Sequence, residues 1–349
     1  MARLVLALLT SLAGLLLALP VLVLGLPFWL MSAGVALLAR LTEPRVATRD
    51  ELMQFDPVLG WKPRANVSAH YLIPRDDIYP IVTDASGWPG RRTVSESEVV
   101  VIGDSFAYGY GSRKGESFTD LASDVTIKPV ACPGYDPVQE VLLLRQLGEA
   151  LRGKLVVWFV YPENDLPDLT RPHWRRYRKP FLRRSPATGE WEVVSDHLRP
   201  GPWRPSVERN NFQAFAQLCT PGPIADRCYS ACTFLIEEAA EVCRRADATL
   251  IVFTIPNVNQ LEPSGRRWLA SLTADARAFD VNYPDRRLSE ICEKHGISFV
   301  SGMTRFEPSD YKRFERFHWT PSGNRKVARL LRQLRDDWRR EHEAGARTP

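Results

Sequence analysis

The 349-residue sequence lacks the short motifs that identify most nucleotide-binding, zinc-binding and repeat proteins. It contains no Gly-rich phosphate loop, no zinc-type spacing of Cys and His, and no internal repeat. Acidic and basic residues nearly balance, and the net charge of +5 is too small to indicate a nucleic-acid partner. We therefore expect no cofactor, no bound metal and no nucleic acid.

Charge is missing from one long stretch near the N-terminus. No residue from Leu4 to Ala39 is charged, and Leu, Val and Ala dominate there. A bilayer-spanning helix needs about 20 apolar residues, whereas the apolar part of a cleaved signal peptide has about 7–15. Residues 1–42 are thus predicted to be a membrane anchor, most simply with one span. Pro20 and Pro27 leave open two short spans or a re-entrant hairpin.

Strand-like and helix-like segments alternate after this anchor. The apolar strand runs are Val99–Ile102, Thr126–Ala131, Leu155–Val160, Thr249–Thr254 and Ile297–Val300. The helical patterns are Ser117–Ser123, Val138 to about Leu151, Ala231–Arg245, Pro284–His295 and Pro321 onward. This alternation predicts an α/β fold with a doubly wound parallel sheet and flavodoxin-like layering. We expect it to occupy residues 96–340, with 43–95 as a loop-rich lead-in segment packed on it.

A candidate nucleophile follows the first strand run. The run ends in Gly103, and Ser105 comes two residues later, where open α/β sheets gather catalytic groups beyond the carboxyl ends of their strands. A Ser hydroxyl needs a neighbouring base, and His318 is the candidate because imidazole titrates near neutral pH. The alternatives are that Ser105 only caps a helix and that His318 is a buried structural residue.

Four segments in this order resemble the SGNH (GDSL-type) hydrolase superfamily, a group of α/β esterases and acyltransferases. They are Gly103-Asp104-Ser105-Phe106, Cys132-Pro133-Gly134-Tyr135, Tyr161-Pro162-Glu163-Asn164-Asp165 and Glu315-x-x-His318, and the resemblance covers roughly residues 95–335.

The resemblance implies a role for each matching residue. Ser105 would be the nucleophile, His318 the base and Glu315 the acid that orients it. The oxyanion hole would consist of the Ser105 N–H, the Gly134 N–H and the Asn164 side-chain amide. Asp104 would be structural. Gly134 could instead be only a turn glycine, and Asn164-Asp165 only a turn pair.

Two positions depart from the family pattern. Pro162 stands where the third block usually has Gly, two residues before its Asn, and Glu315 replaces the usual Asp of the last block. The longer Glu side chain changes the geometry with which the His can be held, and Asp310 is the alternative acid.

A basic, Trp-rich insertion spans about residues 165–205. Because it directly follows Asn164, we expect it to overhang the active site. It is either a lid whose arginines bind an anionic polymer or lipid headgroups, or a solvated basic loop.

Three functions are compatible with these residues. The first is a membrane-anchored serine esterase that hydrolyses ester-linked acyl groups of envelope carbohydrate or of lipid. The second is a polysaccharide O-acyltransferase with the same triad, which would need a membrane partner as acyl donor. The third is an inert membrane-anchored binding or assembly module.

Topology and redox state stay open at the level of sequence. Arg40, Arg45 and Arg49 follow the apolar stretch and favour a cytoplasmic enzyme by the positive-inside rule, whereas the resemblance to anchored envelope enzymes favours an extracytoplasmic one, which we expect. Cys219, Cys228 and Cys232 could hold a disulfide, or the cysteines could be small buried residues.

Overall fold

The chain forms a mixed α/β fold in a computed structural model that describes residues 31, 46–73, 78–175, 177–201, 211–312 and 318–345. The strands are β1 (Met53–Asp56), β2 (Gly60–Pro63), β3 (Ser68–Leu72), β4 (Ile78–Val82), β5 (Val99–Gly103), β6 (Ile127–Ala131), β7 (Leu155–Val160), β8 (His173–Trp174), β9 (Tyr177–Arg178), β10 (Phe181–Arg184), β11 (Trp191–Val194), β12 (Thr249–Thr254) and β13 (Ser298–Ser301). The α-helices are α1 (Arg49–Leu52), α2 (Ser105–Tyr108), α3 (Phe118–Leu121), α4 (Pro137–Leu147), α5 (Pro162–Asp168), α6 (Asn211–Leu218), α7 (Pro223–Arg245), α8 (Val258–Leu261), α9 (Pro263–Ser271), α10 (Tyr283–Lys294) and α11 (Pro321–Gly345).

Five strands build the central sheet, in the spatial order β13-β12-β7-β5-β6. Every neighbouring pair in it is parallel. Counted along the chain, this order is 2-1-3-4-5, which is the flavodoxin-like arrangement. The predicted α/β class with a parallel sheet is therefore confirmed. In such sheets the ligand crevice lies where the strand order reverses, which here is between β5 and β7.

Alternate residues of the central strands face opposite sides of the sheet, because side chains in a strand alternate with a period of two. Val100 and Ile102 belong to a core with α4, α7 and α10. Val99 and Val101 belong to a second core with α2 and α11. Both faces are thus covered, which explains why the strand runs are apolar throughout.

The lead-in segment is attached to the sheet through buried polar contacts. The Tyr135 hydroxyl donates to the Trp61 carbonyl at 2.6 Å, and the Gln139 amide donates to the Leu59 carbonyl at 2.6 Å. Lys128 of β6 forms a 2.7 Å ion pair with the lead-in residue Asp84. Residues 46–349 form one compact unit.

Several boundaries differ from the predicted ones for local reasons. The helix predicted to end near Leu151 ends as α4 at Leu147, because Gly148 adopts φ +45° and a 3₁₀ turn follows. The insertion contains two short hairpins, β8–β9 and β10–β11, that its sequence pattern does not indicate.

The predicted anchor, Leu4–Ala39, lies outside the described residues except for Met31. Within the part of the chain that the structure describes, every helix is too short or too polar to cross a bilayer.

Candidate active site

Ser105 sits on a tight turn between the central sheet and the short helix α2. A side chain at Gly103 could not be accommodated there: a Cβ would lie 2.9 Å from the Ala107 Cβ and 2.9 Å from the Phe159 carbonyl oxygen. The glycine therefore allows α2 to begin directly against the sheet, and this places Ser105 at the carboxyl edge of β5, next to the point where the strand order reverses.

The structure brings Ser105 and His318 together across 213 residues of sequence. The Ser105 Oγ lies 2.9 Å from the His318 Nε2, within the range for a nucleophile and its general base. The imidazole is 8% exposed and packs between Phe106 and Tyr110, with ring centroids 5.2 and 5.0 Å away. These contacts fix the plane of the ring so that Nε2 faces the hydroxyl.

Two residues were predicted as candidates for the acid of the triad, Glu315 and Asp310. Glu315 lies in 313–317, outside the described residues. Asp310 is buried; its Oδ2 accepts from the Glu307 N–H at 2.9 Å and pairs with the Lys326 ammonium at 2.6 Å. These contacts tie the 307–310 turn to helix α11.

The Asp104 carboxylate hydrogen-bonds to three groups around the start of α2. Its Oδ1 accepts the Phe106 N–H at 2.9 Å and caps α2, while its Oδ2 accepts from the Asn164 amide at 3.2 Å and the Ser105 hydroxyl at 3.3 Å. Burial raises the pKa of Asp104, and these hydrogen bonds oppose that rise. The Ser105 hydroxyl has one proton for two acceptors, and the shorter contact is the one to His318.

Gly134 lies on a turn that enters the same cleft. It adopts φ +84°, and a Cβ there would meet the Trp174 ring at 2.8 Å, so only glycine fits. The Arg49 Nη2 donates to the Pro133 carbonyl at 3.1 Å. Because that carbonyl and the Gly134 N–H belong to one planar peptide and point in opposite directions, the arginine fixes the direction of the N–H.

Asn164 belongs to α5 and not to a turn after the strand. The helix begins at Pro162, whose ring presets a helical φ at the first position. The Tyr161 N–H donates to the Asp165 carboxylate at 2.7 Å and secures this first turn. Proline in place of the family's usual glycine is therefore compatible with an Asn164 amide directed at Asp104 and the cleft.

A single cleft of about 450 Å³ is lined by Ser105, His318, Gly134 and Asn164. Three arginines also line it: Arg49, Arg171 and Arg175. Its aromatic walls include Tyr71, Tyr108, Tyr110, Trp174 and Phe212.

Two acidic residues of the cleft, Asp168 and Glu163, differ in whether an arginine lies beside them. Asp168 accepts a hydrogen bond from Arg171 at 3.0 Å. Glu163 is buried, and burial together with the nearby Asp168 charge raises its pKa to about 8. Glu163 is thus mostly neutral at pH 7, so the arginines give the cleft a positive charge.

The basic, Trp-rich insertion was expected to overhang the active site, and two of its residues, Trp174 and Arg175, line the cleft. One feature of the cleft, Arg49, was not assigned from sequence. Arg49 comes from the lead-in segment, and no motif distinguishes it from the other arginines.

The described cysteines are reduced, and one of them, Cys132, precedes the Gly134 turn. All six cysteines are free thiols, and burial raises the pKa of the Cys132 thiol to about 12. Within the described ranges, no three His, Cys, Asp or Glu side chains are grouped so as to hold a metal ion.

Comparison with known proteins finds similarity among solved structures only. No family model and no curated protein matches the chain. A putative acylhydrolase from Bacteroides fragilis is 15% identical, with a TM-score of 0.40 over 72% of this chain and 90% of that one. A GDSL-like lipase from Bacteroides thetaiotaomicron is 13% identical, with a TM-score of 0.40 over 71% of this chain and 92% of that one. A carbohydrate acetylesterase family member from Sinorhizobium meliloti is 12% identical, with a TM-score of 0.39 over 69% and 97%. At such low identity, the roles of the cleft residues depend on their own geometry.

Proposed function

We propose that the protein is an SGNH-type serine esterase that hydrolyses ester-linked acyl groups. The observation that carries the proposal is the 2.9 Å contact between the Ser105 Oγ and the His318 Nε2, in a cleft that also holds Gly134 and Asn164. A serine that merely capped its helix would not need a buried histidine at this distance. An inert binding module is disfavoured for the same reason.

In the proposed reaction His318 takes the Ser105 proton as the Oγ attacks the substrate carbonyl carbon. The negative charge that develops on the carbonyl oxygen is received by the Ser105 and Gly134 N–H groups and the Asn164 amide. One donor of this kind contributes about 2.7–4 kcal/mol of transition-state stabilisation. His318 then protonates the leaving alcohol, and water releases the acyl group from Ser105 with the same base.

An acidic residue that orients His318 completes the proposal. Glu315 remains our candidate because it precedes His318 by three residues. Asp310 is the alternative: its Oδ2 is bonded to Glu307 and Lys326, while its buried Oδ1 has no hydrogen-bond partner among the described residues.

The anchor and the substrate remain proposals from sequence. The uncharged stretch Leu4–Ala39 supports a membrane-anchored enzyme, and we propose that its catalytic part faces the cell envelope and acts on O-acyl groups, such as acetyl groups of carbohydrate.

The test is hydrolysis of 4-nitrophenyl acetate by the full-length protein and by Ser105→Ala. We expect the variant to lose activity by at least about 10³-fold, because the other groups cannot replace a nucleophile. A fluorescent phosphonate should label the wild type and not the variant. Ser123→Ala, which removes an exposed hydroxyl outside the cleft, should be labelled like the wild type.

Equal turnover by the wild type and Ser105→Ala would refute the assignment. A wild-type protein that is labelled but releases more than one equivalent of 4-nitrophenol only when a sugar acceptor is added would be an acyltransferase, since the first equivalent leaves when Ser105 is acylated.

A further inference from the structure

Two arginines of the cleft share one aromatic ring. The Arg49 guanidinium lies 4.4 Å from the Trp174 ring centroid, and the Arg175 guanidinium lies 4.8 Å from it. Trp174 is held in turn by Trp61, which stacks on it at 5.9 Å with 26° between the planes. The two positive charges are therefore fixed close together beside the Gly134 turn.

Neither charge is neutralised by a carboxylate of the described residues. Within the described residues, no carboxylate forms an ion pair with Arg49 or Arg175, whereas the neighbouring Arg171 pairs with Asp168 at 3.0 Å. The buried Arg49 Nε has no hydrogen-bond partner in the described part of the chain. Burial lowers the pKa of Arg49, and the nearby Arg175 charge lowers it further. An unpaired charge removed from water, as at Arg49, is costly, and an anionic ligand that also contacts the exposed Arg175 would offset that cost.

The backbone at Arg175 is also unfavourable for this residue type. Arg175 has φ +47° at the start of the loop of the β8–β9 hairpin. Gly or Asn would adopt that conformation with less strain. A strained arginine at the edge of a catalytic cleft fits a residue that has a binding task.

We propose that Arg49 and Arg175 form an anion subsite, which binds a carboxylate or phosphate group carried by the alcohol part of the ester. The planar guanidinium suits both groups because it donates two parallel hydrogen bonds to a pair of oxygens. Trp174 contacts the Gly134 turn directly, so the subsite lies beside the proposed oxyanion hole. The inference deepens the proposed esterase function and rests on it.

The test compares three phenyl acetates that differ only in the substituent para to the ester oxygen. They are 4-acetoxybenzoate, 4-acetoxyphenyl phosphate and the neutral 4-acetoxybenzamide. With kcat/KM corrected for hydroxide-catalysed hydrolysis, the full-length wild type should prefer an anionic ester by about tenfold. The preference should fall between about 50 and about 500 mM NaCl, since salt screens charges at the cleft rim. Whichever anion is preferred identifies the group.

Arg175→Gly is the decisive variant because it removes the guanidinium and also relieves the backbone strain. It should abolish most of the preference, mainly through KM, without lowering the unfolding temperature. Arg49→Gln should also lower the ratio of kcat/KM for the preferred anionic ester to kcat/KM for 4-acetoxybenzamide. Arg152→Gln is the control: this arginine is 64% exposed, pairs with Glu149 and lies outside the cleft, so its ratio should match the wild type.

Binding measurements separate this inference from the esterase assignment. Tryptophan fluorescence should report tighter binding of 4-hydroxybenzoate than of 4-hydroxybenzamide, whether or not the protein turns over esters. An arginine-dependent preference in binding without any turnover would refute the esterase and keep the subsite. Turnover of all three esters with a ratio that neither arginine variant changes would overturn the subsite and keep the esterase.

Discussion

Glu163 and Asp168 are neighbouring acids in the cleft, and their environments differ at the scale of single side chains. Asp168 is 3% exposed but has Arg171 beside it. Glu163 is 5% exposed and has no described ion pair. A buried carboxyl group without a cation favours its neutral form, which is why burial raises the pKa of Glu163 from its ordinary 4.5 to about 8.

This difference predicts how Glu163 affects stability with pH. Between pH 4.5 and about 8 the unfolded chain loses the Glu163 proton while the folded protein keeps it. The carboxyl group therefore opposes folding increasingly as pH rises through that window. Glu163→Gln should raise the free energy of unfolding at pH 8 by on the order of 4 kcal/mol, and should change it little at pH 4.5.

Urea denaturation of both proteins at the two pH values measures the effect. Glu149→Gln, at a carboxylate that is 70% exposed, should show no such dependence on pH. A Glu163→Gln protein whose stability relative to the wild type is the same at both pH values would contradict the raised pKa.

At the same scale, the sequence predicted the residues that carry chemistry better than those that surround them. Ser105 and His318 could be paired because each lies in a motif with a chemical requirement. Arg49 could not be assigned to the cleft from sequence, because its 3.1 Å hydrogen bond to the Pro133 carbonyl joins residues 84 positions apart. That contact depends on how the lead-in segment packs. No local pattern encodes such a contact.

At the scale of elements, the central strands were predictable, whereas the helices were predicted unevenly: the four-residue α3 was expected, but α6, α9 and the first eight residues of α7 were not. The runs 155–160 and 249–254 coincide with β7 and β12, because strands buried on both faces are continuously apolar. The two-residue strands β8 and β9 are too short to show a period. Their hairpin nevertheless supplies Trp174 and Arg175 to the cleft.

The junction between β5 and α2 gives a prediction at this scale. Gly103→Ala would force a Cβ to within 2.9 Å of the Phe159 carbonyl, at a backbone φ of +153°. We expect it to destabilise the protein by about 3 kcal/mol or more, since overpacking and backbone strain add. Because α2 must move, the rate of phosphonate labelling at Ser105 should fall by at least about tenfold.

Gly90→Ala is the matched control for this variant. Gly90 also has a positive φ, +80°, but a Cβ there would meet no atom within 4 Å. Gly90→Ala should therefore lower the free energy of unfolding by about 1 kcal/mol, from backbone strain alone. Equal losses of stability in the two variants would show that close packing of α2 on the sheet is not what requires glycine at position 103.

At the scale of the whole molecule, the cleft is assembled from distant parts of the chain. Ser105 follows β5 of the central sheet, and His318 precedes α11. The insertion supplies Trp174, and the lead-in segment supplies Arg49 and the cleft residues Leu52 and Met53. We propose that the lead-in segment and the sheet fold as one cooperative unit. The site would then depend on contacts far from it.

The buried ion pair between Lys128 and Asp84 tests that proposal. The Lys128 side chain is 1% exposed, and its ammonium also donates to the Pro89 carbonyl at 2.9 Å. Lys128→Met leaves the Asp84 carboxylate buried without its cation, so we expect a loss of about 3–5 kcal/mol of stability. Lys62→Met, which removes only a half-buried pair 3.6 Å long, should cost less than about 1 kcal/mol.

Cooperativity is measured by following two signals during urea denaturation of Lys128→Met. Because the chain has ten tryptophans, the signal of Trp61, at the junction of the lead-in segment and the insertion, is taken as the difference in fluorescence between Lys128→Met and the same variant that also carries Trp61→Phe, while circular dichroism reports the helices around the sheet. If the unit is cooperative, the two transitions coincide and ester hydrolysis is lost with them. If the lead-in segment were an independent layer, fluorescence and activity would change at lower urea than the helical signal, and the lead-in segment would not belong to the folding unit of the sheet.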